Sequence, residues 1–409
     1  MWARTLLLSG CLVVLAGHAV AAPTVPLFRA QLLDPFVGRE DTYNASIYDL
    51  NNHGEVVGTL FTSHPEALPF VWSNGRLTVL RGTATPINPP PTGDSVDAFA
   101  RGINDGGTVV GGHMYVGGYT KAIQWASRTA PRVRLPHAQD FGIATAVNNK
   151  GSIVGELTDR MIYNETAVMW RGTERRTLWR SADGDPHGRL GADASAEVND
   201  VNELDQAVGS IAVPHAESPD AGRWSARHQA MFWDGNEAVQ LLSPHADWQD
   251  TRASALNDSG VIVGMAGRSG PDVPFPPAGT RAVSWIDGVM HFLDGSEAVT
   301  TSHATDVNAE GWIVGGLHDD AILWIDGVAL RLDSLIEDGS TLGFSHWDLT
   351  DASHVNDRGQ IVVVGALDGQ SQYALLTPVP EPSTMALALG GLAVLTWRAR
   401  KAAAVRSQA

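Results

Sequence analysis

One short phrase, Asn-x-x-Gly, constrains this chain more than any other feature because it returns at a nearly fixed interval. The Asn falls at Asn51, Asn104, Asn148, Asn202, Asn257, Asn308 and Asn356, at intervals of 53, 44, 54, 55, 51 and 48 residues. Three positions on stands Gly54, Gly107, Gly151, Gly260, Gly311 or Gly359, with Asp205 standing in once. Such a phrase is a tight hairpin: Asn starts the turn by bonding nearby backbone, and Gly takes a left-handed conformation that a Cβ resists. Asp is one of the few side chains that tolerates the same geometry. Internal periods of this length signal a repeat architecture.

The rest of each copy is equally regular. A short apolar run closed by Val-Gly follows the turn, ending at Gly58, Gly111, Gly155, Gly209, Gly264 and Gly315, with Gly365 arriving late in the seventh copy. Such a run reads as a strand buried on both faces. A third strand ends in Trp72, Trp125, Trp170, Trp233, Trp285 or Trp324, and the seventh copy lacks the Trp. A residue at one place in nearly every copy is a packing element, not a ligand platform. Asn74-Gly75, Asp234-Gly235, Asp287-Gly288 and Asp326-Gly327 then signal a second hairpin leading to a fourth strand.

Four antiparallel strands in about 50 residues point to the blades of a propeller, an all-β fold, and seven blades are expected. The seventh copy ends at Leu376 without a fourth strand, and a spare one, Leu27 to Leu33, sits at the other end. Pairing the two would close the ring and remove its free edges. These phrases resemble the HAF extracellular repeat family from Asp49 to Thr377. The literal His-Ala-Phe tripeptide is absent; Gln229-Ala230-Met231 and Thr166-Ala167-Val168 stand in its place. The resemblance implies a repeat protein outside the cell and supplies no catalytic residue.

The flanks read as addresses, giving three segments: 1–22, 23–378 and 379–409. The first has Arg4, an apolar run from Leu6 to Ala16, and Ala19-Val20-Ala21, the order of a secretory signal peptide. Cys11, the single cysteine, lies in that run, so the repeat region has neither disulfides nor a thiolate zinc site. The last segment opens on Val379-Pro380-Glu381-Pro382-Ser383, continues with the apolar stretch Met385 to Trp397, and ends in Arg398, Arg400, Lys401 and Arg406. Thirteen mostly apolar residues are short for a span, which needs about 20, but the basic flank is what holds a C-terminus in the cytoplasm, and a short transmembrane segment is expected here. This tail resembles the PEP-CTERM sorting signal of Gram-negative bacteria that secrete exopolysaccharide. The resemblance implies that an integral-membrane exosortase reads Pro380, Glu381 and Pro382 and removes the tail. The protein would be membrane-anchored before that step and at the cell surface or extracellular after it.

A formal charge of −17 argues against nucleic acid and anionic membrane surfaces as partners. A monomer is expected. Strand order places both kinds of short turn on one face of the ring and the long irregular loops on the other. Binding residues concentrate on variable loops held by a rigid scaffold. Aromatic and Arg side chains carry most contact energy there, which singles out Arg223, Trp224, Arg227, Trp248, Phe275, His346 and Trp347. The alternative for each is that it pins its own loop.

No catalytic motif appears. The fourteen histidines fall at no metal-ligand spacing, and Asp183-Gly184-Asp185 is a weak hint of loop calcium with no glutamate to complete it. No cofactor is expected. Three readings follow: a non-enzymatic binding or matrix protein contacting exopolysaccharide or envelope glycan, a glycan-acting enzyme, or a matrix filler without specific ligand. The enzyme reading needs carboxylates recurring on the inner strands. Two residues before each turn Asn stand Asp49, Gly102, Ala146, Asp200, Ala255, Asp306 and His354, which offer three carboxylates, none in adjacent blades.

Overall fold

The computed structural model of the chain describes residues 25–33, 42–62, 67–80, 82, 98–115, 119–136, 141–158, 165–179, 195–214, 226–235, 237–268, 279–293, 301–337, 347–367 and 370–379. One compact unit, Phe28–Pro380, holds the whole repeat region. The signal-peptide segment and the sorting tail, including Pro380, Glu381, Pro382 and the apolar stretch Met385 to Trp397, lie outside the described residues.

Strand β1 (Phe28–Leu32) precedes the first repeat. Blade 1 is β2 (Thr42–Leu50), β3 (Val56–Thr62), β4 (Ala67–Ser73) and β5 (Arg76–Val79). The same antiparallel meander gives β6 to β9 within 98–134, β10 to β13 within 141–179, β14 to β17 within 195–240, β18 to β21 within 250–292 and β22 to β25 within 302–331. The last sheet is β26 (Asp348–Val355), β27 (Ile361–Leu367) and β28 (Gln370–Pro378), completed by β1 in the order β1-β28-β27-β26. The expected seven-bladed, all-β propeller closed by an N-terminal strand is therefore the architecture found. In the closing pair Phe28 sits opposite Pro378 and Leu32 opposite Ala374.

Each hairpin turn has the geometry its sequence requires. Asp205 takes the glycine position at φ 61°, beside values of 71° to 84° for the six glycines there. Asn74, Asp287 and Asp326 and the glycine after each all lie at positive φ, which matches the twist of the strands they join.

The Val-Gly glycines have a different reason. A Cβ on Gly111 would stand 1.8 Å from the carbonyl oxygen of Phe99 on the neighbouring inner strand, and one on Gly264 2.0 Å from that of Arg252. Every inner strand carries a bulge next to this contact, such as the register shift between Ala100 and Gly102. The bulge kinks the inner strand toward its partner, and only a residue without a side chain fits beneath.

Seven apolar clusters fill the wedges between consecutive blades, so the core is a ring of interfaces. Each repeated Trp packs toward the preceding blade: Trp285 of blade 5 lies with Val208 and Ala230 of blade 4, and Trp170 of blade 3 with Val110 and Ala122 of blade 2. Each buried indole of this kind contributes roughly 3 to 5 kcal/mol. The wedge between blades 6 and 7 has no repeated Trp. Phe28 of β1 and Trp347 fill it instead, and Trp312 meets Phe28 edge-on at 6.4 Å between ring centres.

Candidate functional site

The turn asparagines do more than shape their hairpins. Each is buried, and its Oδ1 accepts backbone N–H groups of its own turn; for Asn257 these come from Ser259 at 3.1 Å and Val261 at 3.0 Å. Each Nδ2 then donates to the backbone carbonyl of the turn Asn in the next blade. The links run Asn51 to Asn104 (3.1 Å), Asn104 to Asn148 (2.9 Å), Asn148 to Asn202 (2.8 Å) and Asn202 to Asn257 (3.3 Å). They continue Asn257 to Asn308 (2.9 Å), Asn308 to Asn356 (3.1 Å) and Asn356 back to Asn51 (2.9 Å). Seven side-chain amides thus make an unbroken belt around the axis.

A second circle runs one residue further along. The backbone N–H of Asn52 donates to Asp105, that of Asp105 to Asn149, that of Asn149 to Glu203 and that of Glu203 to Asp258. Ala309 has no acceptor to offer, so the circle skips one link before Ala309 bonds Asp357 and Asp357 bonds Asn52.

The three inner-strand carboxylates form the third level. Asp49 accepts from Leu50 of its own strand at 2.7 Å and from Ile103 of the next blade at 2.7 Å. Asp200 accepts from Val201 and Leu256, and Asp306 from Val307 and from Val355 of blade 7, in the same way. Each carboxylate is a staple between two blades, one oxygen per blade.

These levels enclose an axial cavity of about 210 Å³ on the face of the short turns, lined by Asp49, Asp200, Asp306 and the turn residues of all seven blades. It is smaller than the roughly 300 to 1,000 Å³ of ordinary ligand pockets and has room for several waters. Burial pushes Asp49 up to about 7, with repulsion from Asp200 and Asp105 adding to it against the two amide bonds. Burial raises Asp200 as well, and Asp306 rises well above the ordinary range through burial and then repulsion from Asp200 and Asp49. These three groups are only partly accessible, through the channel, so they are neither fully dry nor freely hydrated. Burial drops His354 to about 4, which leaves it neutral at pH 7, 3.9 Å from Asp306. The cavity can therefore retain protons near neutral pH. Among the described residues, no three His, Cys, Asp or Glu side chains come together as a metal site, and Asp183 and Asp185 lie outside those residues.

The irregular face differs from its sequence reading. Arg223, Trp224, Phe275 and His346 lie outside the described residues. Arg227 is partly exposed on β16 (Ala226–Asp234), opposite Val213. Trp248 is only 9% exposed: it meets Phe292 edge-on at 5.6 Å, and the Arg281 guanidinium lies 5.6 Å from its ring and 3.7 Å from that of Phe292. Trp347 is 5% exposed in the wedge between blades 6 and 7. Both indoles are pins, which corrects their assignment to an exposed contact surface. The Gly365 shift that made the seventh copy look irregular is part of the same substitution, since a Cβ there would stand 2.6 Å from the Trp347 indole nitrogen.

The fold and the tail together define a seven-bladed β-propeller bearing a sorting address. Residues 378–401 match the PEP-CTERM protein-sorting motif, which marks the chain for export and surface sorting. No helix among the described residues is long and apolar enough to cross a membrane. No curated protein sequence matches the chain. Among solved structures it is similar to the β-propeller domain of the Trilobed protease from Pyrococcus furiosus, at 10% identity over 82% of this chain and 94% of that one, TM-score 0.46. It is also similar to an acylaminoacyl peptidase of Pyrococcus horikoshii, at 12% identity over 81% of this chain and 52% of that one, TM-score 0.46. A third is PorZ, a surface component of the type-IX secretion system of Porphyromonas gingivalis, at 13% identity over 83% of this chain and 46% of that one, TM-score 0.46. The chain spans about half the length of the second and third of these.

Proposed function

We propose that the protein is a non-enzymatic binding propeller of the bacterial surface, whose irregular face contacts exopolysaccharide or another envelope glycan. Its repeats are of the HAF extracellular type, and an exosortase-type membrane enzyme processes its tail at Pro380, Glu381 and Pro382. The observation that carries the non-enzymatic part is the state of the inner-strand carboxylates. Each of Asp49, Asp200 and Asp306 has one oxygen on its own strand and the other on the next blade. A general acid or base needs an oxygen within reach of substrate. Here both oxygens of each group already bridge blades, and the cavity they line, about 210 Å³, is smaller than ordinary ligand pockets, which supports contact through residues the repeat does not fix.

The test is retention of the full chain on exopolysaccharide from the producing cells. The reading expects wild-type protein to be retained and a Trp224→Ala, Arg227→Ala variant to lose at least tenfold in affinity. Undiminished retention of that variant would remove the loop face as the contact surface, and turnover of the polymer would remove the non-enzymatic reading.

A further inference from the structure

The chain enters and leaves the propeller at one corner. Inner strands end at the Asn turns, so in each blade the first and third strands run toward the face of the short turns and the second and fourth run away from it. β28, the third strand of blade 7, therefore ends on the short-turn face, and β1, its antiparallel partner, begins there. The side chains agree. Thr377 Oγ1 accepts from Gln360 Nε2 at 3.2 Å, a Cβ on Gly359 would stand 3.1 Å from Pro378 Cγ, and Phe28 meets Trp312. Gly359 and Gln360 belong to the seventh Asn turn, and Trp312, whose N–H donates to Asn308 Oδ1 at 2.8 Å, belongs to the sixth. Closure between third and fourth strands fixes this face. Closure between second and third would have put both ends among the irregular loops.

The connection to the tail is short. Six residues, 379 to 384, separate Pro378 from the apolar stretch that starts at Met385, and they cannot span more than about 25 Å. The inner strand Phe141–Val147 has seven residues, which makes the ring about 23 Å thick along that strand. A tail seated in a bilayer would use nearly all its reach in passing from one face of the ring to the other. The irregular face therefore cannot lie on that bilayer. The other end obeys the same limit, because Leu27 leads into β1 at the same corner, and an uncut signal segment would tether the ring from the same side. Near the axis this face carries Asp105, Glu203, Asp258 and Asp357, which repel an anionic lipid surface, so the tether sets the orientation and adhesion does not.

We propose that, while the tail is attached, the propeller stands with its short-turn face toward the membrane and its irregular face outward. The inference rests on the reading of the tail as a membrane anchor before processing. It sets the axial cavity of Asp49, Asp200 and Asp306 on the membrane side and leaves the irregular loops on the side where polymer is met.

The test uses the full chain carrying Pro380→Ala and Glu381→Ala to keep its tail, together with Cys11→Ser and one new cysteine at a time. Thr173→Cys and Glu310→Cys place the thiol on exposed turns of the short-turn face, and Ala246→Cys and Asp319→Cys on exposed turns of the irregular face. The probe is a maleimide bearing a long polyethylene glycol chain, applied to spheroplasts. The two irregular-face cysteines are expected to react at least about tenfold faster than the other two, and in detergent all four rates should agree within about threefold. A Gly/Ser spacer of about 30 residues between Val379 and Pro380 should remove the difference, because it reaches well past the thickness of the ring. Equal rates in spheroplasts, faster reaction on the short-turn face, or a difference that survives detergent or the spacer overturns the proposal. Chain found in the soluble fraction sinks the anchoring reading and the orientation with it. Chain that stays in the membrane with equal rates sinks the orientation alone.

Discussion

Replacing Asn356 by Ala tests whether the amide belt holds the ring. Asn356 is the link that joins the last blade to the first. Its Oδ1 accepts from Arg358 N at 3.1 Å and Gln360 N at 2.9 Å, and its Nδ2 donates to the Asn51 carbonyl at 2.9 Å. Each such bond has a net worth of about 1 kcal/mol. The Asn51 carbonyl keeps a second donor, Gly54 N at 3.0 Å, so no buried acceptor is orphaned. The Asn356 Nδ2 also donates to Gln360 Oε1 at 2.9 Å, so four bonds go and the N–H groups of Arg358 and Gln360 must turn to water, an expected loss of about 4 kcal/mol. Urea unfolding reads it as a lower midpoint at unchanged slope. Asn356→Asp separates the two roles, because it keeps both acceptor bonds and sets a carboxylate oxygen against the Asn51 carbonyl. At pH 7 it should cost about 2 kcal/mol relative to wild type, and about 1 kcal/mol less at pH 4, where a protonated acid donates again. A loss under about 1 kcal/mol for Asn356→Ala, or wild-type stability of Asn356→Asp at pH 7, would refute the belt.

Three further outcomes are expected. Asp49 holds its proton up to about 7 when folded but releases it near 3.8 when unfolded, so the stability it contributes is full below that lower value and is lost as pH rises through 7. Screening through the channel reduces the effect to about 2 kcal/mol, and Tm should be several degrees higher at pH 5 than at pH 7.5; a Tm that rises across that interval would contradict the placement of these carboxylates. Gly111→Ala should cost about 3 kcal/mol or abolish soluble protein, because its Cβ would meet the Phe99 carbonyl at 1.8 Å. Gly107→Ala, strained only by a φ of 77°, should cost about 1 kcal/mol, and equal urea midpoints for the two would defeat the close-approach argument. A Pro380→Ala, Glu381→Ala variant should stay in the cell envelope with its tail attached, as judged by its mass; normal processing would defeat the sorting assignment.

The blade plan was legible because each repeated residue answers a local backbone demand. Asn and Gly mark the hairpin, Trp closes the third strand, and the orphan strand before residue 34 announced its partner. What an amide donates to across a blade boundary leaves no local trace, so Asn257 read as a turn residue although its Nδ2 belongs to the belt. The same limit misplaced Trp248 and Trp347. Both lie off the repeat pattern, and an off-pattern Trp looks free until the wedge it fills is seen; the absent seventh Trp was the signal that pointed to Trp347. Asp49, Asp200 and Asp306 were picked out by position, but only hydrogen-bond geometry separates a staple from a reagent.

The pairing of β1 with β28 has a consequence for timing. The first strand of the propeller waits, unpartnered, until nearly the whole chain has been delivered, because its mate ends at Pro378, where the sorting motif begins. Such long-range closure is slow and leaves strand edges open meanwhile. Arrival of the address and completion of the ring fall at the same moment of translocation. A chain cut short before β28 would then lack both its clasp and its destination, so a truncated product could neither circularise nor be displayed.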